Sequence, residues 1–274
     1  MSAKDKVLQT LFDLPAYQEL LKSIKQGDFR TDQRRGLGLP RTARLAILAR
    51  LHLDLNVPLL LLTNRADRAL ALFDELGFWL PDGNKLYFPE PNPLFYENLA
   101  WSERTRLDRL QVFSELARPH LPGASSKQEK PVTIIAPIRA VMTRTIPRRD
   151  FLKATLRLNI GDKRDLIQTL EKLVGIGYDY SNIVVQPGQF ARRGGLIDVW
   201  SPATSHPIRF EFFGDEIDTI KTFDPNTQRS QESLKNALIF PASEALPEKL
   251  ADKESDSPIS EAIIPSLYRF HSNL

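Results

Sequence analysis

Residues 187–200 read PGQFARRGGLIDVW, and they begin the part of the chain whose fold is most clearly written in the sequence. Two adjacent glycines, Gly194 and Gly195, cost backbone entropy and mark a place where the chain bends or is closely approached. The arginines before them indicate an edge that faces solvent or a partner. The apolar run from Leu196 to Trp200 is typical of a strand. We therefore expect a strand to follow this glycine pair.

The residues after this stretch continue the β pattern. Residues 207–213, PIRFEFF, alternate apolar and charged side chains, which gives a strand one buried and one polar face. Gly214 and the two acidic residues after it suit a hairpin connection. These features predict a small α+β domain with an antiparallel sheet. Its other predicted elements are a helix over 163–178, whose Leu166, Leu170 and Leu173 share one side, and strands over 155–162, 183–190, 195–202, 217–224 and 237–246.

The amino-terminal half has a different order of elements. Apolar strand-like runs alternate with amphipathic helical segments, and this order predicts a parallel sheet covered by helices. The strand over 57–63, VPLLLLT, is expected to be fully buried, and Ser102 is expected to cap a helix. The other predicted elements are strands over 84–90 and 131–137, helices over 66–80 and 102–118, two helices within 4–25 divided by Pro15, and a helix after Pro40 with a stripe of Ala43, Ile47 and Leu51.

Composition excludes several classes of protein. The chain has 274 residues, 42% hydrophobic and 26% charged, as expected of a globular protein with a core. Its 37 basic and 34 acidic residues give a net charge of +3, too small a charge to argue for nucleic-acid binding by itself. There is no cysteine, so disulfides and thiolate zinc sites are excluded. No signal peptide or membrane-spanning run is recognisable, so a cytoplasmic location is expected.

The sequence offers no catalytic constellation. RRGLGLPRTAR (34–44) places two glycines before a helix but lacks the Gly-Lys-Ser/Thr of a phosphate-binding loop. The four histidines are scattered without zinc-ligand spacing, and the carboxylates of GDEID (214–218) are those of a charged hairpin tip. The charges of WSERTRLDRL (101–110) have the spacing of ion pairs on a solvated helix face. We expect no catalytic residue, no metal and no cofactor.

PGQFARRGGLIDVWSP (187–202), followed by HPIRFEFFGDEIDTIKTFDPNTQRS (206–230), resembles the amino-terminal region of the bacterial transcription-repair coupling factor (Mfd). That region is similar in fold to the repair helicase UvrB. Weaker similarity extends over about residues 35–246. It includes these segments: LTNRADRALALFDEL, LYFPEPNPLFYE, SERTRLDRLQVF, APIRAVMTRTIP and FPASEAL.

The resemblance implies a fold class and a division of the chain. The first domain, residues 1–140, would be a P-loop-like α/β domain with a parallel sheet and without a Walker A motif. Residues 141–226 would form an inserted small α+β domain with an antiparallel sheet, which in the family docks onto the repair protein UvrA. Residues 227–274 would return to pack on the first domain and end in a mobile tail. RNA polymerase and double-stranded DNA would be partners of the full-length family protein, through domains that this sequence lacks.

The resemblance also gives the arginine–glycine stretch a role. Arg193, Gly194 and Gly195 would lie on the face that meets UvrA, with Arg192, Phe190 and Trp200 as further partner-binding residues. Trp200 stands where the family commonly has Phe, and it either packs in the core or anchors the interface. A solvated Arg192–Arg193 pair beside a glycine bulge is the alternative. Asp198 and Arg209 are expected to pair across strands.

The predicted function is a non-catalytic interaction module of transcription-coupled nucleotide excision repair that recruits UvrA. One alternative is a subunit of an ATP-dependent DNA helicase or translocase, but the missing phosphate-loop lysine and helicase Asp-Glu box argue against it. Another alternative is a direct DNA-binding protein, against which the low net charge argues.

Overall fold

The computed structural model describes residues 3–27, 39–80, 85–91, 101–122 and 131–246. The chain divides into two compact units. The first takes in Met1–Pro89 and Ser125–Met142, and the second takes in Glu90–Ala124 and Thr143–Leu274. The predicted division at residues 140 and 226 is a finer one and stays a prediction.

The first unit contains five helices or short helical segments and a small sheet in its described part. Its elements are α1 (Ala3–Phe12), α2 (Pro15–Gln26), α3 (Arg41–Leu55), β1 (Leu59–Thr63), α4 (Ala66–Trp79), β2 (Lys85–Tyr87), and, after a helix of the second unit, β3 (Thr133–Pro137) and α6 (Ile138–Met142). Pro15 begins α2, as its fixed φ favours, so the predicted division of the first two helices is confirmed.

The predicted parallel sheet is present in the first unit. Its strand order is β1-β3-β2, and both neighbouring pairs are parallel. The central strand β3 is buried along its whole length, since it has a neighbour on each side. The expectation of a fully buried 57–63 strand is wrong for β1, which lies at an edge and leaves Leu60 and Leu62 exposed. That the unit resembles a P-loop fold stays a prediction.

Helix α3 is buried on two sides, and the predicted stripe of Ala43, Ile47 and Leu51 accounts for only one of them. Leu45 and Ala49 pack with α4 residues such as Leu76 in one apolar cluster. Leu51 instead packs with Tyr17 and Leu21 of α2 in a second cluster. The predicted stripe is therefore present at Ile47 and Leu51, which pack in the second cluster, but it is only one of two buried sides. A helix that has neighbours on two sides needs apolar residues over a wider arc than one stripe.

The second unit holds two sheets. Its elements are α5 (Glu103–Ala117), a 3₁₀ turn (Arg118–His120), α7 (Arg148–Ala154), β4 (Leu156–Asn159), α8 (Leu166–Gly175), β5 (Asp179–Tyr180), β6 (Gln189–Arg193), β7 (Leu196–Val199), β8 (Ile208–Phe213), β9 (Glu216–Phe223), β10 (Ser230–Leu234) and β11 (Asn236–Ile239).

The larger sheet of the second unit has the order β10-β9-β8-β7-β6-β5. Its strands pair antiparallel, except that β5 and β6 are parallel. Strands β4 and β11 form a separate antiparallel pair. The predicted antiparallel sheet accompanied by a helix is confirmed, while its limits as a separate domain stay a prediction. The strand predicted over 183–190 is shorter, because β6 begins only after Gly188, whose φ of +89° breaks an extended chain.

Helix α8 covers one face of the larger sheet, as its leucines predict. Leu173 is buried in the main core with the sheet residues Ile197 and Phe210, while Leu166 and Leu170 pack against that core. The Asp165 carboxylate caps the helix by accepting from the backbone N–H of Gln168 at 2.8 Å. This packing leaves the opposite face of the sheet, called here the outer face, for polar and charged side chains.

Helix α5 corrects one prediction about charge. Ser102 Oγ accepts from the backbone N–H of Thr105 at 3.2 Å, and Arg104 pairs with Asp108 at 2.8 Å, both as expected. Arg109, however, is fully buried and pairs with Glu244 at 2.6 Å between Nε and Oε1. The expected solvated face is therefore wrong at Arg109. Its partner lies far away in sequence, so local spacing gave no sign of this ion pair.

Candidate partner-binding surface

The arginine–glycine stretch forms the tip of the β6–β7 hairpin. Gly194 has φ +61°, a left-handed conformation that favours glycine. Gly195 lies against strand β8, and its carbonyl accepts from the backbone N–H of Phe212 at 2.8 Å. A Cβ at this position would stand 2.9 Å from the Phe212 carbonyl oxygen. The two glycines thus have separate roles, one for the turn and one for close strand packing.

Arg193 stands beside this turn in a network on the outer face. Its Nη2 donates to Asp198 Oδ2 at 2.8 Å and to Gln228 Oε1 at 3.3 Å. Asp198 is almost fully buried, and its carboxylate also accepts two hydrogen bonds from Arg209, at 2.7 and 2.9 Å. The predicted Asp198–Arg209 pair is confirmed by register and by contact. Nearly half of the Arg193 side chain, 46%, remains exposed.

The loop that carries Gln228 is fixed from within. The Asp224 carboxylate accepts from the backbone N–H groups of Asn226 and Thr227, at 2.7 and 3.2 Å. Gln228 has φ +59°, a conformation that non-glycine residues seldom adopt. Its carbonyl accepts from Arg209 Nη1 at 3.3 Å. The hydrogen bonds to Asp198 raise the pKa of Arg209, so this arginine stays charged at every physiological pH.

Comparisons with known proteins show what the part of the chain that carries this surface is similar to. Residues 156–244 match the family described as "UvrB interaction domain". The chain is 30% identical over 209 residues to a transcription-repair-coupling factor of Bacillus subtilis (strain 168), covering 76% of this chain and 17% of the relative. It is 32% identical over 220 residues to that of Myxococcus xanthus, covering 80% and 18%. A Staphylococcus aureus (strain Mu50) relative is 31% identical over 208 residues.

The chain is similar to the amino-terminal region of the transcription-repair-coupling factors. It spans less than a fifth of the length of these relatives. The resemblance that the sequence suggested is confirmed at this level. Arg193, Asp198, Arg209 and Gln228 all fall within the part that matches the UvrB interaction domain.

Phe213 is an exposed residue, within the part that matches the UvrB interaction domain, that sequence reasoning missed. It ends β8 next to the Gly214 turn and is 84% exposed, the highest value among the large apolar side chains that the structure describes. Phe212, the residue before it, packs against the core, and its backbone N–H donates to the Gly195 carbonyl. Phe213 therefore lies beside the arginine–glycine turn. The adjacent Phe212-Phe213 pair was the available signal, because two consecutive apolar residues of one strand point to opposite faces.

Trp200 and Phe190 occupy different environments in the second unit. Trp200 is half-buried, packs with Val184, Ala191 and Phe223, and donates from Nε1 to the Thr204 carbonyl at 3.0 Å. Of its two predicted alternatives, this structure shows packing. Phe190 is only 3% exposed and belongs to the main core. Its side chain supports the sheet from beneath and offers no surface for direct contact.

Arg192 and the glycines lie at the exposed tip. Arg192 Nε donates to the Gly194 carbonyl at 3.3 Å, which closes the turn on itself. Within the described residues this guanidinium has no ion-pair partner, in contrast to Arg193. The tip thus presents one arginine held in place by a carboxylate and a second one free of acidic partners.

Within the described ranges of the chain, the candidate catalytic and metal-binding residues do not come together. Among the described residues, no group of three His, Asp or Glu side chains is placed to hold a metal ion. His52 is buried near Thr133 in the first unit, and burial lowers its pKa. His206 is exposed beside Ser205, and His271 lies outside the described residues, as do the glycines of RRGLGLPRTAR. None of the described helices is long and apolar enough to cross a membrane.

Proposed function

We propose that this chain is a non-catalytic docking module of transcription-coupled nucleotide excision repair and that it recruits the damage-recognition protein UvrA. One observation carries the proposal. A half-exposed arginine, Arg193, is held on a rigid glycine hairpin inside the residues that match the UvrB interaction domain. The similarity to transcription-repair-coupling factors supports the repair context.

The geometry suits capture of an acidic group on the partner. A guanidinium has five N–H donors in a planar fork, and Arg193 uses only one nitrogen, Nη2, to donate to Asp198 and Gln228. The exposed remainder is free to make bidentate bonds to a carboxylate. Asp198 restricts the side chain in advance, which lowers the entropy lost on binding. Gly194 carries no side chain and its Cβ position faces open space, so the backbone of a partner can approach the turn beside the arginine closely.

Phe213 adds an apolar contact to this charged one. An exposed phenylalanine loses a large water-accessible area when a partner covers it, and aromatic residues dominate the energetics of interfaces. We therefore include Arg193, Arg192, Gly194, Gly195 and Phe213 in the proposed contact surface. Trp200 and Phe190 hold the sheet that carries it.

The proposal assigns no reaction to the chain itself. ATP hydrolysis, translocation on DNA and binding to RNA polymerase would belong to other regions of the family protein. We expect the purified chain to show no ATPase activity with or without duplex DNA. A measured, DNA-stimulated ATPase activity would favour the helicase alternative instead.

The decisive experiment measures binding of the purified chain to purified UvrA by isothermal titration calorimetry. Arg193→Ala is expected to cost about 2 kcal/mol or more in binding free energy, which corresponds to roughly 30-fold weaker binding. The matched control is Arg106→Ala, which removes an exposed arginine on α5 of the same unit. Unchanged affinity of the Arg193 variant, or no binding by the wild-type chain, would overturn the proposal.

A further inference from the structure

The loop between β5 and β6 presents two aliphatic side chains to solvent. Ile183 is 47% exposed and Val185 is 57% exposed, while Val184 between them is fully buried. We infer that Ile183 and Val185, called here the aliphatic flank, are a second contact of the partner-binding surface and bury against the same protein that engages Arg193. This inference rests on the proposed function.

The loop is held in a fixed shape. Gln189 Oε1 accepts from the backbone N–H groups of Val185 and Gln186, at 3.0 and 3.2 Å. Ser181 Oγ donates to the Ile183 carbonyl at 2.8 Å. Val184 packs with Ala191, Phe223 and the half-buried Trp200. Because these contacts fix the backbone on both sides, the aliphatic flank is presented in one conformation and loses little conformational entropy when a partner covers it.

The same loop is joined to Arg193 through one side chain. Gln228 Nε2 donates to the Val184 carbonyl at 3.3 Å, and Gln228 Oε1 accepts from Arg193 Nη2 at 3.3 Å. The side-chain amide of Gln228 therefore binds the Val184 carbonyl through its nitrogen and the Arg193 guanidinium through its oxygen. The aliphatic flank and Arg193 thus belong to one continuous surface on the outer face.

The chemistry of this surface favours a protein partner with an acidic group beside an apolar one. Aliphatic side chains are stabilised when a partner removes them from water. Two such side chains next to a fixed arginine resemble the apolar residues that exclude water from a charge pair at an interface. A nucleic-acid partner would need further cationic side chains to neutralise its phosphates, whereas Ile183 and Val185 are apolar. The occupant that fits is the UvrA protein of the proposed function, contacted at two adjacent points.

The test uses the full chain and purified UvrA, with Ile183→Ser and Val185→Ser combined in one variant. Binding is expected to weaken about tenfold or more, and the loss should persist at high salt because apolar contacts are not screened. The loss caused by Arg193→Ala should shrink as salt rises. The matched control is Ile167→Ser on α8, since Ile167 is 49% exposed and lies on the helix that covers the other face of the sheet.

The possible results distinguish a failure of this inference from a failure of the proposed function. If Arg193→Ala weakens binding while the flank variant binds like wild type, the aliphatic flank is not a contact and the proposed function stands. If neither variant changes the affinity, the surface itself is misplaced and both proposals fail. Thermal melting of each variant, followed by circular dichroism, establishes that the folded state is retained. A flank variant that melts like the wild type and binds at least tenfold more weakly supports the inference.

Discussion

Asp198 has two arginine partners that differ in what they contribute. Arg209 is largely buried, donates twice to the carboxylate and stacks its guanidinium 4.6 Å from the centre of the Phe223 ring. Arg193 donates once and is half exposed. Loss of Arg193 leaves Asp198 with both hydrogen bonds from the largely buried Arg209. Loss of Arg209 leaves this buried carboxylate with a single hydrogen bond from the half-exposed Arg193. We therefore expect substitution of Arg193 to affect binding and substitution of Arg209 to affect stability.

We predict that Arg209→Ala lowers the free energy of unfolding by about 3 kcal/mol, as expected when a buried ion pair is broken. Arg193→Ala should lower it by less than about 1 kcal/mol, since Arg193 is half exposed and Arg209 still donates two hydrogen bonds to Asp198 in its absence. Urea unfolding of both variants, followed by circular dichroism, measures the difference. Equal losses would show that Asp198 depends on both arginines alike.

His52 should make the first unit sensitive to acid. It is buried beside Thr133, and burial lowers its pKa below the ordinary value of about 6.5. The unfolded chain therefore takes up a proton before the folded chain does, so stability falls as the pH drops below about 6.5 and levels off below the folded pKa. We expect the wild-type melting temperature to decrease between about pH 6.5 and pH 5. A His52→Gln variant should show a flatter dependence over that window, and an unchanged slope would contradict the assignment.

At the scale of elements, the β6–β7 hairpin distinguishes two kinds of glycine. Gly194 needs a left-handed backbone but has open space around it, whereas Gly195 has ordinary φ but no space for a Cβ. Asparagine tolerates the left-handed region better than other residues do. We predict that Gly194→Asn is close to wild type in stability, while Gly195→Asn loses about 1–3 kcal/mol through a clash with strand β8. Denaturant melts of the two variants test this, and the reverse order would refute it.

Element by element, prediction succeeded where the pattern was local. The alternation in Ile208, Phe210 and Arg209 predicted strand β8, and Gly214 predicted its turn. Strand β10 was missed because four of its five residues are exposed and polar, so no apolar alternation marks it. Strand β1 was placed correctly but its burial was not, since burial depends on which strands lie beside it.

At the scale of the whole molecule, helix α5 belongs to the second unit although it lies before β3 of the first unit in sequence. Phe113 of α5 contacts Phe151 of α7, with ring centres 6.0 Å apart, and Phe151 stacks on Phe240 at 6.1 Å. Arg109 pairs with Glu244, whose pKa is raised by burial against the opposing effect of the arginine. A piece cut at the limits of the family match would lose all of these contacts.

We predict that a fragment of residues 143–246 is much less stable than one of residues 90–246. Removal of α5 exposes Phe151 and Phe240 and leaves the Glu244 carboxylate without its arginine, and each loss is worth about 2 kcal/mol or more. Melting by circular dichroism and binding of a hydrophobic dye compare the two fragments. Identical melting temperatures would show that α5 is dispensable for the fold of this unit.

The sequence by itself determined most of the strands, helices and turns, the parallel sheet of the first unit, the largely antiparallel sheet of the second unit, and the similarity to a family. These follow from periodicity, glycine positions and short motifs, which are local properties of the chain. Only the tertiary structure decided that Phe190 is core and Phe213 surface, that Arg193 shares Asp198 with Arg209, and that Gln228 joins Arg193 to the loop at Val184. These outcomes depend on which residues meet across strands and loops, and contacts between distant residues leave no mark in the spacing along the chain.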